Sequence, residues 1–181
     1  PDGFKAMVPA ILILTFAWTL KSMTDSLGAA EYVASIMNSA ASGLLNLLPA
    51  IIFLVGCFLA FATGTSWGTF GILIPIVVAV FQGTNETMMI ISISACMAGA
   101  VCGDHCSPIS DTTIMASAGA QCNHVNHVST QLPYAMTVAA VSFVTYVIAG
   151  FVQNAWICLP IGIILMTGTL FVIRAITGKE E

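Results

Sequence analysis

The side chains best suited to chemistry lie in one short polar segment, residues 103–113. It contains two carboxylates, Asp104 and Asp111, inside an otherwise apolar part of the chain. Hydroxyl groups stand close to them, on Ser107, Ser110, Thr112 and Thr113. Hard cations prefer oxygen ligands such as carboxylates, carbonyls and waters. The segment therefore predicts a site for a cation such as sodium.

The local backbone favours the same interpretation. Gly103 and Pro108 are predicted to interrupt helical hydrogen bonding, which leaves backbone carbonyls free. Asp111 is predicted to cap the helix that follows, and the N-terminus of that helix would stabilise its ionised carboxylate. The alternative is that Asp111 is only a cap and Asp104 only a residue of a solvated loop. Ionisable groups within a membrane are costly and by default functional, which favours a binding site.

The composition indicates a membrane environment. Of 181 residues, 58% are hydrophobic and 7% are charged, whereas roughly 25% are charged in a soluble domain. Between Glu86 and Arg174 the only charged residues are Asp104 and Asp111. We expect a multi-pass protein of the cell (inner) membrane with the lipid bilayer as partner, and no partnership with nucleic acid. Arg174 and Lys179 favour a cytoplasmic C-terminus.

The apolar runs are interrupted by Gly-rich polar breaks. Two segments, 70–81 and 88–101, are about 12 and 14 residues long, or ~18 and ~21 Å of helix, too short for a ~30 Å hydrocarbon core. Such segments point to the binding site of a transporter, since irregular backbone at membrane depth must be buried in protein or line a cavity. The other predicted elements are an apolar run at 6–20, an interfacial helix at 26–44, a span at 44–62, a small-residue helix at 114–120, a polar connection at 121–131, and apolar runs at 132–152 and 156–173.

These elements predict an all-α membrane protein with five or six membrane-crossing or re-entrant segments, two of them interrupted and facing each other. Burial favours the protonated form of a carboxyl group. An aspartate at membrane depth can therefore hold a proton and lose it to a cation. We predict that Asp104 and Asp111 bind sodium and protons competitively, and that His105 could share the proton traffic near neutral pH.

The remaining cysteines and histidines predict little further chemistry. Six cysteines, at positions 57, 96, 102, 106, 122 and 158, are expected to be free, because disulfide frameworks belong to small secreted domains. His124 and His127 are predicted to be solvated residues of the 121–131 connection. A zinc site that combines them with nearby cysteines is disfavoured, because no paired CxxC spacing is present.

A rival function arises from residues 64–68, which spell G-x-S-x-G, the pattern of the hydrolase nucleophile elbow. An intramembrane serine hydrolase would pair Ser66 with a histidine such as His105. The elbow requires a strand-to-helix turn, and no neighbouring segment is predicted to be a strand. The hydrolase also leaves both aspartates unused. We therefore expect no enzymatic activity and no organic cofactor.

Three motifs together carry a family resemblance. They are GDHCSPISDTTI at 103–114, QLPYA at 131–135, and GTSWGT at 64–69 followed by Pro75. The sequence resembles the C-terminal half of the NhaC-type sodium/proton antiporters, within a larger ion-transporter grouping. The resemblance implies one 1–181 transmembrane domain, one of two inverted repeats that each bring a re-entrant hairpin and a broken helix to a central site.

By this resemblance, Thr65 and Ser66 lie at a hairpin tip and residues 104–113 form the helix break. The missing N-terminal half of the same protein would be a partner, Na⁺ and H⁺ the transported ions, and a homodimer a further expectation. Thr65 and Ser66, with Ser107, Ser110, Thr112 and Thr113, would supply neutral oxygens to sodium. Some similar proteins exchange organic acids such as malate or lactate for sodium or protons, so that alternative stays open.

Overall fold

The computed structural model describes residues 42–81 and 83–177, with six isolated positions nearer the N-terminus, namely Thr15, Thr19, Ser22, Met23, Ser26 and Leu27. Residues 42–177 form six helices, and no strand occurs in this part of the chain. The helices are α1 (Ser42–Thr63), α2 (Ser66–Phe81), α3 (Glu86–Cys106), α4 (Asp111–Gly119), α5 (His124–Val152) and α6 (Ala155–Thr177). The all-α prediction is confirmed. The predicted run at 6–20, and nearly all of the predicted helix at 26–44, lie outside the described residues.

Four of these helices, α1, α3, α5 and α6, are long and apolar enough to cross a membrane. The 16-residue α2 is not, as predicted for this segment. The prediction for 88–101 is wrong, because α3 continues to Cys106 and reaches 21 residues. At 1.5 Å per residue it is about 32 Å long. Neither Gly103 nor Asp104 interrupts the helix, and only the segment after Cys106 does.

Gly103 allows α3 to pack closely against α1 and does not break the helix. A Cβ atom on Gly103 would overlap the carbonyl oxygen of Cys57, and one on Gly99 would overlap that of Phe53. Gly99 and Gly103 therefore form a small-xxx-small pair that lets the backbones of α1 and α3 approach closely, as membrane helices often do. This contact is the most extensive between helices, and it fixes the last turn of α3 against α1.

The helix α5 begins earlier than its hydropathy predicts. The side chain of Asn123 accepts a hydrogen bond from the backbone N–H of Asn126 (3.1 Å), and this N-cap starts the helix at His124. The predicted polar connection at 121–131 is therefore wrong for its second half. Polar residues there occupy the first two turns of α5, where they lie near the end of α3.

Candidate functional site

Two short breaks in the helices meet at one place. The first break is residues 64–65, between α1 and α2. Gly64 has φ +67, a left-handed conformation that glycine adopts without steric cost. Thr65 then caps α2, because its Oγ1 accepts a hydrogen bond from the N–H of Gly68 (3.3 Å). Two residues thus separate α1 from α2.

The second break is residues 107–110, between α3 and α4. Ser107 ends α3, and its N–H donates to the carbonyl of Asp104 (3.0 Å). Ser110 begins α4 as its N-cap, since its Oγ accepts from the N–H of Thr112 (3.2 Å) and also bonds the Thr112 hydroxyl (2.7 Å). The prediction that Asp111 is the cap is wrong. Asp111 is the first residue of α4, because the serine before it already supplies the capping oxygen.

A buried hydrogen bond joins the two breaks. The hydroxyl of Ser107, which is fully buried, donates to the carbonyl of Phe61 in the last turn of α1 (2.8 Å). Carbonyls in the last turn of a helix lack helical partners, so this bond satisfies one of them. Gly64 lies against Ile109, whose carbonyl oxygen would be 2.9 Å from a Cβ at position 64. The interrupted segments therefore face each other, as predicted.

Asp104 is the buried charge of the site. It lies in the last turn of α3 with 7% of its surface exposed, and its Oδ1 is buried with no hydrogen-bond partner among the described residues. Residues 42–177 contain one Lys or Arg, Arg174, in the last turn of α6. Burying a charge without a partner is very costly, which makes Asp104 the candidate ligand for a cation.

Asp111 has a different environment. It is exposed at the start of α4, where the helix N-terminus favours negative charge. No hydrogen bond among the described residues connects it to Asp104. Binding of one sodium ion by both carboxylates stays a prediction.

Most of the hydroxyl groups predicted as neutral ligands already make hydrogen bonds within the protein. Ser107, Ser110 and Thr113 are buried, and the Thr113 hydroxyl donates to the carbonyl of His105 (3.4 Å). Ser66 is the first residue of α2 and is half-buried. A hydroxyl that donates one hydrogen bond keeps acceptor capacity. These groups can therefore hold the breaks in place and still offer an oxygen to a cation.

Two residues of α5 contact this region, and sequence analysis did not assign either to the site. The ring of His124 bonds the carbonyl of Pro108 through Nε2 (2.7 Å) and the Ser117 hydroxyl through Nδ1 (3.0 Å). Gln131 donates from Nε2 to the carbonyl of His105 (3.2 Å). The prediction of His124 as a solvated loop residue is wrong, because it lies in a helix and bridges the second break, α4 and α5.

Among the described residues, the side chains of His105 and His127 make no bridging hydrogen bonds of the kind that His124 makes. The side chain of His105 is exposed, although its carbonyl accepts the two bonds described above. His127 is half-buried in the first turn of α5 and not in a loop as predicted. The early start of α5 is again the reason.

The alternative chemistries find little support in the geometry. All six cysteines are free. Within residues 42–177, no group of three or more His, Cys, Asp or Glu side chains is placed to hold a metal ion. Ser66 follows a helix and a two-residue turn, so the strand that a nucleophile elbow requires is lacking in this part of the chain.

Long apolar helices, two apposed breaks and a buried carboxylate oxygen with no partner among the described residues are features typical of membrane proteins that transport ions. The chain belongs to the Na⁺/H⁺ antiporter family, whose family model matches residues 1–151. The family consists of transporters and not of enzymes. No solved structure matches the chain significantly.

Curated relatives agree with this placement. An uncharacterised protein of Haemophilus influenzae is 48% identical over 84% of the chain and 29% of its own length. The malate-2H⁺/Na⁺-lactate antiporter of Bacillus subtilis is 30% identical over 51% of the chain and 20% of its own length. An uncharacterised Na⁺/H⁺ antiporter of Haemophilus influenzae is 32% identical over 60% of the chain and 24% of its own length. The chain thus spans less than a third of the length of each of these relatives.

Proposed function

We propose that the full-length protein is a secondary active transporter that exchanges Na⁺ for H⁺ by alternating access. The observation that carries this proposal is Asp104, a buried carboxylate whose Oδ1 has no partner in the described residues. A resident lysine or arginine would neutralise such a group permanently. None is bonded to Asp104 Oδ1 among the described residues, so a proton and a sodium ion can alternate there, and that competition couples their movement in opposite directions.

The surrounding residues suit this exchange. Carboxylate, hydroxyl and carbonyl oxygens are ligands of hard cations, and the second break together with the helix ends on either side of it contains all three kinds. We assign sodium binding to Asp104 and Asp111, with neutral oxygens from Ser107, Ser110 and Thr112 at the second break. Further oxygens come from Thr113 beside it and from Thr65 and Ser66 at the first break. His105 is a candidate for proton transfer. The exchange requires no organic cofactor.

The rest of the protein completes the transporter in this proposal. The chain acts as the C-terminal one of two inverted repeats, and the N-terminal half of the same protein supplies the facing side of the site. The protein crosses the cell (inner) membrane several times, and the two halves move relative to each other. A homodimer is compatible with this arrangement.

A second candidate is an exchanger that moves an organic acid together with sodium or protons. It is favoured by the similarity to the malate-2H⁺/Na⁺-lactate antiporter of Bacillus subtilis. In that case the same carboxylate would serve the coupling ion, and the organic acid would bind at residues that include the other half of the protein.

The test uses the full-length protein in sealed vesicles that contain a pH-sensitive dye. A sodium pulse is applied to the parent, to Asp104→Asn and to Asp111→Asn. Asn keeps the size of the side chain and cannot carry the charge or exchange the proton. We expect sodium to drive proton movement in the parent and Asp104→Asn to abolish it. Glu86→Gln, an exposed residue at the start of α3, is the matched control and should respond like the parent.

The outcomes separate the candidates. Proton movement with malate or lactate, and none with sodium alone, would favour the organic-acid exchanger. A parent that responds to neither would overturn both candidates. Normal exchange by Asp104→Asn would show that the buried carboxylate is structural.

A further inference from the structure

Buried polar atoms without partners concentrate at one turn of α3. In the described part of the chain, three buried side-chain N or O atoms have no hydrogen-bond partner. They are Asp104 Oδ1, Gln131 Oε1 and Ser92 Oγ. Ser92 lies 12 residues before Asp104, about 18 Å along the helix. Asp104 Oδ1 belongs to the last turn of α3, and Gln131 Oε1 belongs to the side chain that is hydrogen-bonded to that turn.

The orientation of the Gln131 amide follows from its one hydrogen bond. Its Nε2 donates to the carbonyl of His105 (3.2 Å). A carbonyl oxygen only accepts hydrogen bonds, so the NH₂ end of the amide must face it. The other end, Oε1, is then a buried oxygen acceptor with a fixed direction and nothing bound to it.

Two further contacts hold Gln131 in register with the second break. His124 precedes it by seven residues, two helical turns, so both lie on one face of α5. His124 bonds the carbonyl of Pro108, and Thr113 shares the carbonyl of His105 with Gln131. The first two turns of α5 are therefore bound to the region that contains Asp104.

We infer that Gln131 supplies a further ligand of the cation site, with its amide Oε1 joining the carboxylate of Asp104 on a hard monovalent cation. Amide and carboxylate oxygens are both suitable ligands for hard cations. A cation bound by both oxygens would satisfy two buried acceptors that have no hydrogen-bond partner among the described residues. This inference rests on the proposed sodium exchange and extends the site to α5, a helix that contains none of the predicted ligands.

Two substitutions separate an oxygen ligand from a hydrogen-bond donor. Gln131→Met removes both the oxygen and the N–H group at nearly constant length. Gln131→Glu keeps an oxygen but, when ionised, cannot donate to the carbonyl of His105. Gln153→Met is the matched control, because Gln153 also donates from Nε2 to a backbone carbonyl, that of Gly150 (3.4 Å), at the opposite end of α5.

The measurement is the sodium concentration that gives half-maximal proton movement by the full-length protein in sealed vesicles. We expect Gln131→Met to raise it about tenfold, which corresponds to ~1.4 kcal/mol. Gln131→Glu keeps an oxygen ligand and should raise it by much less than Gln131→Met, whereas Gln153→Met should stay close to the parent. If Gln131→Met fails to insert, Gln131→Ser replaces it, since serine is too short to bring its oxygen to the same place.

Each result decides between the roles. If Gln131→Met and Gln131→Glu weaken sodium dependence equally, the N–H donor matters and the ligand role is overturned. A normal sodium dependence in Gln131→Met would also overturn it, while the proposed exchange would stand. A parent that does not respond to sodium overturns the proposed function itself, and the inference with it.

Discussion

Gly103→Ala tests whether the close approach of α1 and α3 positions Asp104. A Cβ at position 103 would overlap the carbonyl oxygen of Cys57 and lie 2.8 Å from its carbonyl carbon and 2.9 Å from its Cα. These are backbone atoms, so no side chain can rotate away. Because carbon atoms are in optimal contact at about 3.5–4.0 Å, the two helices must separate by roughly 0.7 Å or more at this point.

The magnitude follows from two opposing effects. Overpacking of a well-packed contact costs ~1–3 kcal/mol, and backbone on both sides favours the upper end. Replacing a helical glycine with alanine recovers ~0.5–1 kcal/mol of helix propensity. We therefore expect a net loss of about 2 kcal/mol in the free energy of unfolding. Because Asp104 follows directly in the chain, sodium-driven proton movement should fall as well.

The assay is unfolding of the purified full-length protein by titration with a denaturing detergent. Gly168→Ala is the control, because a Cβ at Gly168 in α6 meets no atom within 4 Å. It makes the same chemical change in a helix and should stabilise the protein by ~0.5–1 kcal/mol. The two substitutions thus have opposite expected signs. Equal stabilisation by both would refute the close contact between Gly103 and Cys57.

Two further substitutions test the bonds that hold the breaks. Ser107→Ala leaves the Phe61 carbonyl without the hydroxyl that donates to it at 2.8 Å. It should lower the free energy of unfolding by ~1–3 kcal/mol, the penalty for an unsatisfied buried acceptor. His124→Phe keeps a side chain of similar size, removes the bonds to Pro108 and Ser117, and should lower the thermal midpoint. His124→Gln should recover part of the loss, because its amide can still donate to a carbonyl.

The controls for these two substitutions both lie in α5. Ser129→Ala in α5 removes an exposed hydroxyl that bonds only its own helix, so we expect little change in stability. His127→Phe replaces the neighbouring histidine, which makes no such bridge. A loss in Ser107→Ala no larger than in Ser129→Ala would contradict the bond between the breaks. A His127→Phe effect equal to that of His124→Phe would contradict the specific role of His124.

Local properties of the sequence were enough to predict the membrane character and the regions in which the two breaks lie. A strongly apolar composition indicates that a helix lies in the lipid bilayer and not in water. Pro108 favours the end of one helix, and the serines around it favour helix caps. The short α2 followed from the same local arguments, and the functional role of Asp104 stays a prediction.

The end of α3 could not be predicted in this way. Gly103 and Asp104 indicate a break when considered alone, yet the helix continues through both to Cys106. The reason lies on α1, where the Cys57 backbone approaches so closely that only glycine fits at position 103. A glycine that permits close packing and a glycine that ends a helix look identical in a sequence.

The partners of the site residues likewise depend on the folded chain. Ser107 bonds Phe61, 46 residues away, and Gln131 bonds His105, 26 residues away. Hydropathy and spacing show that a polar group is present, but they do not show which distant carbonyl accepts its hydrogen bond. Composition and local hydrogen-bonding capacity thus specify a membrane protein with two interrupted segments. The packing of α1, α3 and α5 specifies which buried oxygens have a partner among the described residues and which, on Asp104 and Gln131, have none, because that depends on groups brought together only by the fold.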